Sequence, residues 1–286
     1  MKSGRNPNRR NRKIGTAAQG RGQDNSLTIP QNWRDTRIYW EKMSDCRKVV
    51  REVYGTPISF FVQPPKPGFI HACTPDDVAG VLSLLPPGDV RGIGAVLLRQ
   101  PTRKQALLSP VWGRLGFCVD VGPYQGAAIV LEAFNTDEPI KWSKSLGPDH
   151  QKELQRLERD GHHITATKRE YVIRVSPESL RAGILYRTLL HEIGHWVDWT
   201  RSVEIPPLRV ADETTWESRE ARYASRPQRE REDAAHRYAD QMSAELYARR
   251  SIPFAPRGLD RATLAAGNLE LSYFVNPECG DRQDRT

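Results

Sequence analysis

Long apolar runs are missing from this chain of 286 residues. No stretch approaches the eighteen or so consecutive apolar residues that a membrane-spanning helix needs, so no membrane partner is expected. Cysteine is scarce, with Cys46, Cys73, Cys118 and Cys279 far apart in sequence. That spacing excludes a CxxC zinc knuckle or redox pair and leaves buried thiols as the expectation. No apolar segment follows the positive charges at the N-terminus, which therefore does not read as a secretory signal. A cytoplasmic protein is the expectation.

Acidic residues are nearly absent from the first 27 positions. Lys2, Arg5, Arg9, Arg10, Arg12, Lys13 and Arg21 face only Asp24 there, so this segment holds +6 of the chain's net +8. The rest is close to neutral, with 36 basic and 34 acidic residues. The segment is polar, rich in Gly and Asn and poor in large apolar side chains, too little to offset the entropy of ordering it. Residues 1–27 are expected to be a disordered basic tail. A weak electrostatic contact with nucleic acid or another anionic partner is the alternative role for it.

The remaining residues, 28–286, read as a single domain. Tyr39, Met43, Cys46, Val50 and Val53 recur at helical spacing and predict a helix over 31–54. The segments 57–62, 94–100, 116–122, 126–134 and 170–175 read as strands, the third and fourth joined as a hairpin through Pro123. Thr74-Pro75-Asp76-Asp77 and Ser176-Pro177 are helix starts: a capping hydroxyl followed by proline in the first turn. Charged helices are expected over 148–160 and 228–250. With most strands preceding the last helices, the order predicts an α+β fold with helices packed on a small mixed sheet. The cluster at 99–105 is expected to be a solvated loop, and the seven tryptophans are scattered as core residues are.

The helix after Ser176 spells "LLHEIGHWVDW" over 189–199. His191 and His195 are four apart, so both imidazoles leave one face of a helix one turn apart. Two nitrogens placed that way can reach one zinc ion at about 2.0–2.1 Å. Glu192 is rotated about a hundred degrees from the first histidine, off the ligand face but within reach of a water. This is the HExxH pattern of metallopeptidases, with the glutamate as general base. For 7 His and 18 Glu in this chain, the pattern has roughly a 1% chance of arising by accident. Its context supports it: Leu189, Leu190, Ile193, Trp196 and Val197 form an apolar stripe, with Ile184, Arg187, His191, His195 and Asp198 grouped opposite.

Catalytic zinc sites take three protein ligands and leave a fourth position open. A third ligand six residues after the second histidine is not expected, because that position is Arg201, a cation. On the helix from 228, Glu232 aligns with Ala235, Ala239, Met242 and Leu246. A carboxylate on an inward stripe makes it the candidate third ligand; the alternative is an ordinary first-turn acid.

"LLHEIGHWVDW" followed by "EDAAHRYA" resembles the glutamate-type zincins (gluzincins), over residues 170–250. The resemblance implies a zincin-like fold, a mixed sheet packed against the HExxH helix and a second ligand-bearing helix. It implies Zn2+ bound by His191, His195 and Glu232, with Glu192 as catalytic base. Where such proteins carry an aspartate that orients a ligand histidine, this chain has His236, so Asp198 is the candidate for that role. His236 is otherwise a substrate-facing donor or a plain surface residue. The expected activity is zinc-dependent hydrolysis of peptide bonds in a protein or peptide substrate, with an oxyanion donor among Tyr223, Tyr238, His236 and Arg187. The strand over 170–175 is the candidate substrate-binding edge, on condition that it is not a central strand. Two alternatives belong to other classes. One is a catalytically silent zincin-fold binding protein contacting nucleic acid or a protein partner. The other is a phage or toxin-type effector protease.

Overall fold

The computed structural model describes residues 43, 45–102, 105, 111–204 and 215–276. All belong to one compact unit, Tyr39–Thr286. The expected basic tail lies outside the described residues.

The chain runs through β1 (Arg47–Val53), β2 (Thr56–Val62), β3 (Phe69–Ile70), α1 (Pro75–Leu82), α2 (Pro87–Val90), β4 (Ile93–Arg99), β5 (Gly113–Val121) and β6 (Tyr124–Glu132). It continues with β7 (Phe134–Asn135), β8 (Ile140–Ser143), α3 (Pro148–Arg159), β9 (His163–Ala166), β10 (Glu170–Arg174) and α4 (Pro177–Gly183). A π-helical turn, Ile184–Thr188, joins α4 to α5 (Leu189–Trp199), and a second, Thr200–Glu204, follows it. After that come α6 (Trp216–Ser225), α7 (Gln228–Ala248) and α8 (Arg261–Ala266).

Five strands form one mixed sheet in the order β1-β2-β4-β6-β5. The inner strands β2, β4 and β6 run parallel, and β1 and β5 pair antiparallel at the two edges. Inner strands buried on both faces read as continuous apolar runs, and Ala95-Val96-Leu97-Leu98 and Ala128-Ile129-Val130-Leu131 are such runs. The expected hairpin at Pro123 joins β5 to β6, with Val121 opposite Tyr124. A second sheet has the order β8-β10-β9, and β3 pairs with β7. The fold is mixed α+β.

The larger core lies on the helix-covered face of the sheet, where Val96, Leu98, Ile129 and Leu131 meet Leu82, Leu189, Ile193 and Met242. Both expected capping boxes form. Thr74 accepts from the Asp77 amide at 3.0 Å while the Asp77 carboxylate accepts from the Thr74 amide. Ser176 and Ser179 exchange the equivalent bonds at 3.1 and 2.9 Å. Asp77, almost fully buried, also accepts from Arg181 at 2.6 Å, fastening α1 to α4.

Three expectations are corrected here. Residues 47–53 form an edge strand, not a helix, with Val49 and Val53 turned to the core and Val50 to solvent. The segment at 99–105 is not simply a solvated loop: Arg99 is buried and its Nη1 pairs with Glu132 at 2.5 Å. The strand over 170–175 is central, with β8 on one side and β9 on the other, so a peptide cannot add to it.

Candidate metal centre

The site is built where α7 crosses α5. The stripe expected on α7 is the buried one: Ala235, Ala239, Met242 and Leu246 face inward. On α5 the inward side chains include Leu189, Leu190, Ile193, Trp196 and Val197, as their spacing predicts. Ile184, grouped with the polar face by α-helical projection, is instead in the core. The π turn from Ile184 to Thr188 carries one more residue per turn than α-helix, and this shifts the phase upstream of Leu189.

Gly194, between the two histidines, sets how close the helices come. A Cβ there would lie 2.8 Å from the Ala235 carbonyl oxygen, 2.9 Å from the Ala235 Cα and 3.1 Å from the Tyr238 Cβ. Glycine is therefore a requirement of close approach at this crossing. The crossing carries Glu232 onto the histidines.

The structure brings His191, His195 and Glu232 together. His191 Nε2 and His195 Nε2 are 3.1 Å apart, and Glu232 Oε2 lies 3.3 Å from the first and 3.6 Å from the second. Donors held at about 2.0–2.1 Å from one tetrahedral zinc are roughly 3.3–3.4 Å from each other. The observed separations bracket that figure, and two imidazoles with one carboxylate are a donor set of hydrolytic zinc sites. These residues fit the metal. The Glu232 carboxyl is held well below the usual carboxylate range by its hydrogen bonds with His191 and His195. Burial lowers the His195 pKa, but the hydrogen bond with Glu232 and the Glu192, Glu232 and Asp198 charges outweigh this and raise it.

Glu192 stands outside this triad and is buried. Burial raises its carboxyl pKa; His191, His195 and a hydrogen bond from the Leu115 backbone act in the opposite direction. Leu115 belongs to β5, so this edge strand borders the site. Among the described residues β5 is paired on one side only, by β6.

The surrounding candidates divide. His236, one turn after Glu232, is not a plain surface residue: its ring lies 4.4 Å from that of His191, and its Nε2 is 3.4 Å from Arg156 Nη1. Burial, His191 and Arg156 bring its pKa down to about 4. Asp198 does not orient a ligand histidine. Both of its oxygens accept from Arg226 Nη1, at 3.1 and 3.0 Å, and it reaches His195 through charge alone. The buried His191 Nδ1 has no hydrogen-bond partner among the described residues. Tyr238 donates its hydroxyl to Asp89 at 2.9 Å. Arg187 is held by Asp160 at 2.6 Å and Glu153 at 2.7 Å. Tyr223 is buried on α6, its ring under the guanidinium groups of Arg226 and Arg231. Burial first, then Asp198, pushes its hydroxyl up to about 12, so the phenol keeps its proton.

Gly194, the Leu115 amide and Arg156 were missed in sequence. A glycine inside the helix pattern was a signal for the first; the other two are set by packing between distant segments. Compared with protein-family models, curated proteins and solved structures, the chain matches none.

Proposed function

We propose that this chain is a zinc-dependent peptidase with a zincin-like site of the glutamate-ligand type. One observation carries the proposal: three donor atoms from two helices converge at 3.1–3.6 Å, with a buried carboxylate beside them that is not one of the three. A purely structural metal site has no use for that fourth group.

His191, His195 and Glu232 would hold the ion. When bound, zinc supplies a Lewis acid for the scissile carbonyl and lowers the pKa of water towards 7. Glu192, its carboxyl pKa raised by burial, takes the proton of the attacking water and passes it to the leaving nitrogen. Of the four candidate oxyanion donors, Arg187 is held by two acids and Tyr238 by Asp89. Tyr223, protonated at neutral pH, is the donor this reading favours, with His236 beside the ligand His191. An extended substrate would lie along β5, the edge strand whose Leu115 backbone lowers the Glu192 pKa, and not along β10.

Bound zinc per chain, measured in the wild type, Glu192→Gln and Glu232→Ala, tests the assignment. One zinc is expected in the wild type and in Glu192→Gln, and weakened retention in Glu232→Ala. Peptide cleavage by the wild type and its loss in Glu192→Gln, typically by 10²–10⁴-fold for a removed general base, completes the test. A chain that takes up no zinc in any form would overturn the reading.

A further inference from the structure

A cavity of about 400 Å³ opens against the donor cluster, with Glu232 and His236 in its wall. Lys152, Arg156 and Arg229 also line it, and the acid facing them besides Glu232 is Asp233. Arg229 and Asp233 form a loose, exposed pair at 3.9 Å. Lys152, exposed, pairs with no acid among the described residues.

Arg156 is fixed. Its side chain is 15% exposed, and Nη1 lies 3.4 Å from both Glu153 Oε2 and His236 Nε2. Glu153, however, holds Arg187 more closely, at 2.7 Å. Two guanidinium groups thus share that carboxylate, and the Nε and Nη2 of Arg156 carry no hydrogen bond to any described residue. A planar fork with donors free, anchored through one nitrogen beside a ligand-contacting histidine, matches a carboxylate in two-point geometry.

We infer that this cavity binds a carboxylate of the substrate through Arg156 and Lys152, so that the site selects peptides carrying negative charge close to the bond it cleaves. The inference rests on the peptidase reading above. The carboxylate comes from an acidic side chain or from a chain terminus.

Calorimetric titration of the zinc-loaded Glu192→Gln protein with four acetylated hexapeptides tests it. Each has glycine and alanine throughout, except for glutamate or glutamine at the third position, and ends in either an amide or a free carboxylate. Charge-assisted hydrogen bonds of this kind predict tighter binding of the carboxylate-bearing peptides by about tenfold or more. Preference for glutamate within the amidated pair assigns a side chain; preference for the free terminus within the glutamine pair assigns a terminus. Adding Arg156→Gln should remove the preference, and Lys152→Gln, an exposed site that leaves the fold alone, should reduce it. Arg249→Gln, the same charge change at the far end of α7, should leave it unchanged.

Equal affinity for all four peptides, no measurable binding, or a preference that survives both substitutions overturns the inference. Wild-type cleavage without charge preference would leave the peptidase reading standing and remove this one. Charge preference in a protein that cleaves nothing would remove the peptidase reading, and with it the selection of a cleaved bond, leaving only a carboxylate-binding cavity.

Discussion

Between His191 and His195 the side chain that matters most to their geometry is the one that is missing. Gly194→Ala adds one carbon 2.8 Å from the Ala235 carbonyl oxygen. Alanine is the better helix former by roughly 1 kcal/mol, yet the contact is with backbone, which cannot rotate away. Overpacking of this kind typically costs about 1–3 kcal/mol, and relief requires α7 to retreat, taking Glu232 with it. The expected result is a zinc dissociation constant raised at least about tenfold, with a smaller loss in denaturant midpoint; unchanged zinc affinity would show that the crossing does not set the site. The donors themselves were legible because their relations are local: four residues on one helix for the histidines, and one place on an apolar stripe for Glu232. Asp198 and Tyr238 were not. Their partners, Arg226 and Asp89, come from segments 28 and 149 residues away, and no spacing rule reports such a meeting.

Elements were readable where their period was unambiguous. The stripe on α7 repeats at steps of three and four through Leu246, and its apolar members are the buried ones. The stretch 47–53 was misread because Val50 and Val53 continue the steps of four and three that run from Tyr39 through Met43 and Cys46, whereas the buried pair is Val49 and Val53, on one face of a strand, with Val50 exposed. Pairing with β2 decides the matter, and that pairing is tertiary. Tyr238 now has an element-level role, tying α7 to α2 through Asp89. Tyr238→Phe should therefore lower stability by about 1–2 kcal/mol, as for a hydrogen bond to a charged group that is partly exposed. Zinc content and turnover per folded molecule should stay as in the wild type. A large drop in kcat with stability intact would return the hydroxyl to the reaction.

For the molecule as a whole, β2, β4, β5, β6 and β10 were legible as strands, whereas β1, β3, β7, β8, β9 and the strand order were not. β10 reads like any short apolar strand, and only the register with β8 and β9 shows that both its edges are taken. Two histidines away from the His191, His195 and Glu232 cluster tie the whole fold to pH. His71 is buried beside β3, its Nε2 donating to the Gln63 carbonyl at 2.7 Å, and burial lowers its pKa to about 4. His162 is buried against Ser179, 3.0 Å away, and burial together with the Arg187 charge lowers it to about 4. Both rings are neutral in the folded protein at pH 7. Above about 6.5 the unfolded chain is neutral there too, and neither group contributes a pH dependence. As pH falls from about 6.5 to about 4, the unfolded state binds protons that the folded state refuses, so stability falls across that window. For a fully buried ring the loss is on the order of 3 kcal/mol. Metal binding is itself pH-dependent because its donors must be deprotonated, so the informative quantity is the difference between two zinc-free proteins. His71→Gln keeps an amide donor for the Gln63 carbonyl and cannot become charged. Its denaturant midpoint should fall less steeply than that of the wild type between pH 6.5 and 4, with parallel curves above pH 7. Parallel curves throughout would mean that His71 accepts its proton without unfolding the protein, and the acid sensitivity would have to come from elsewhere.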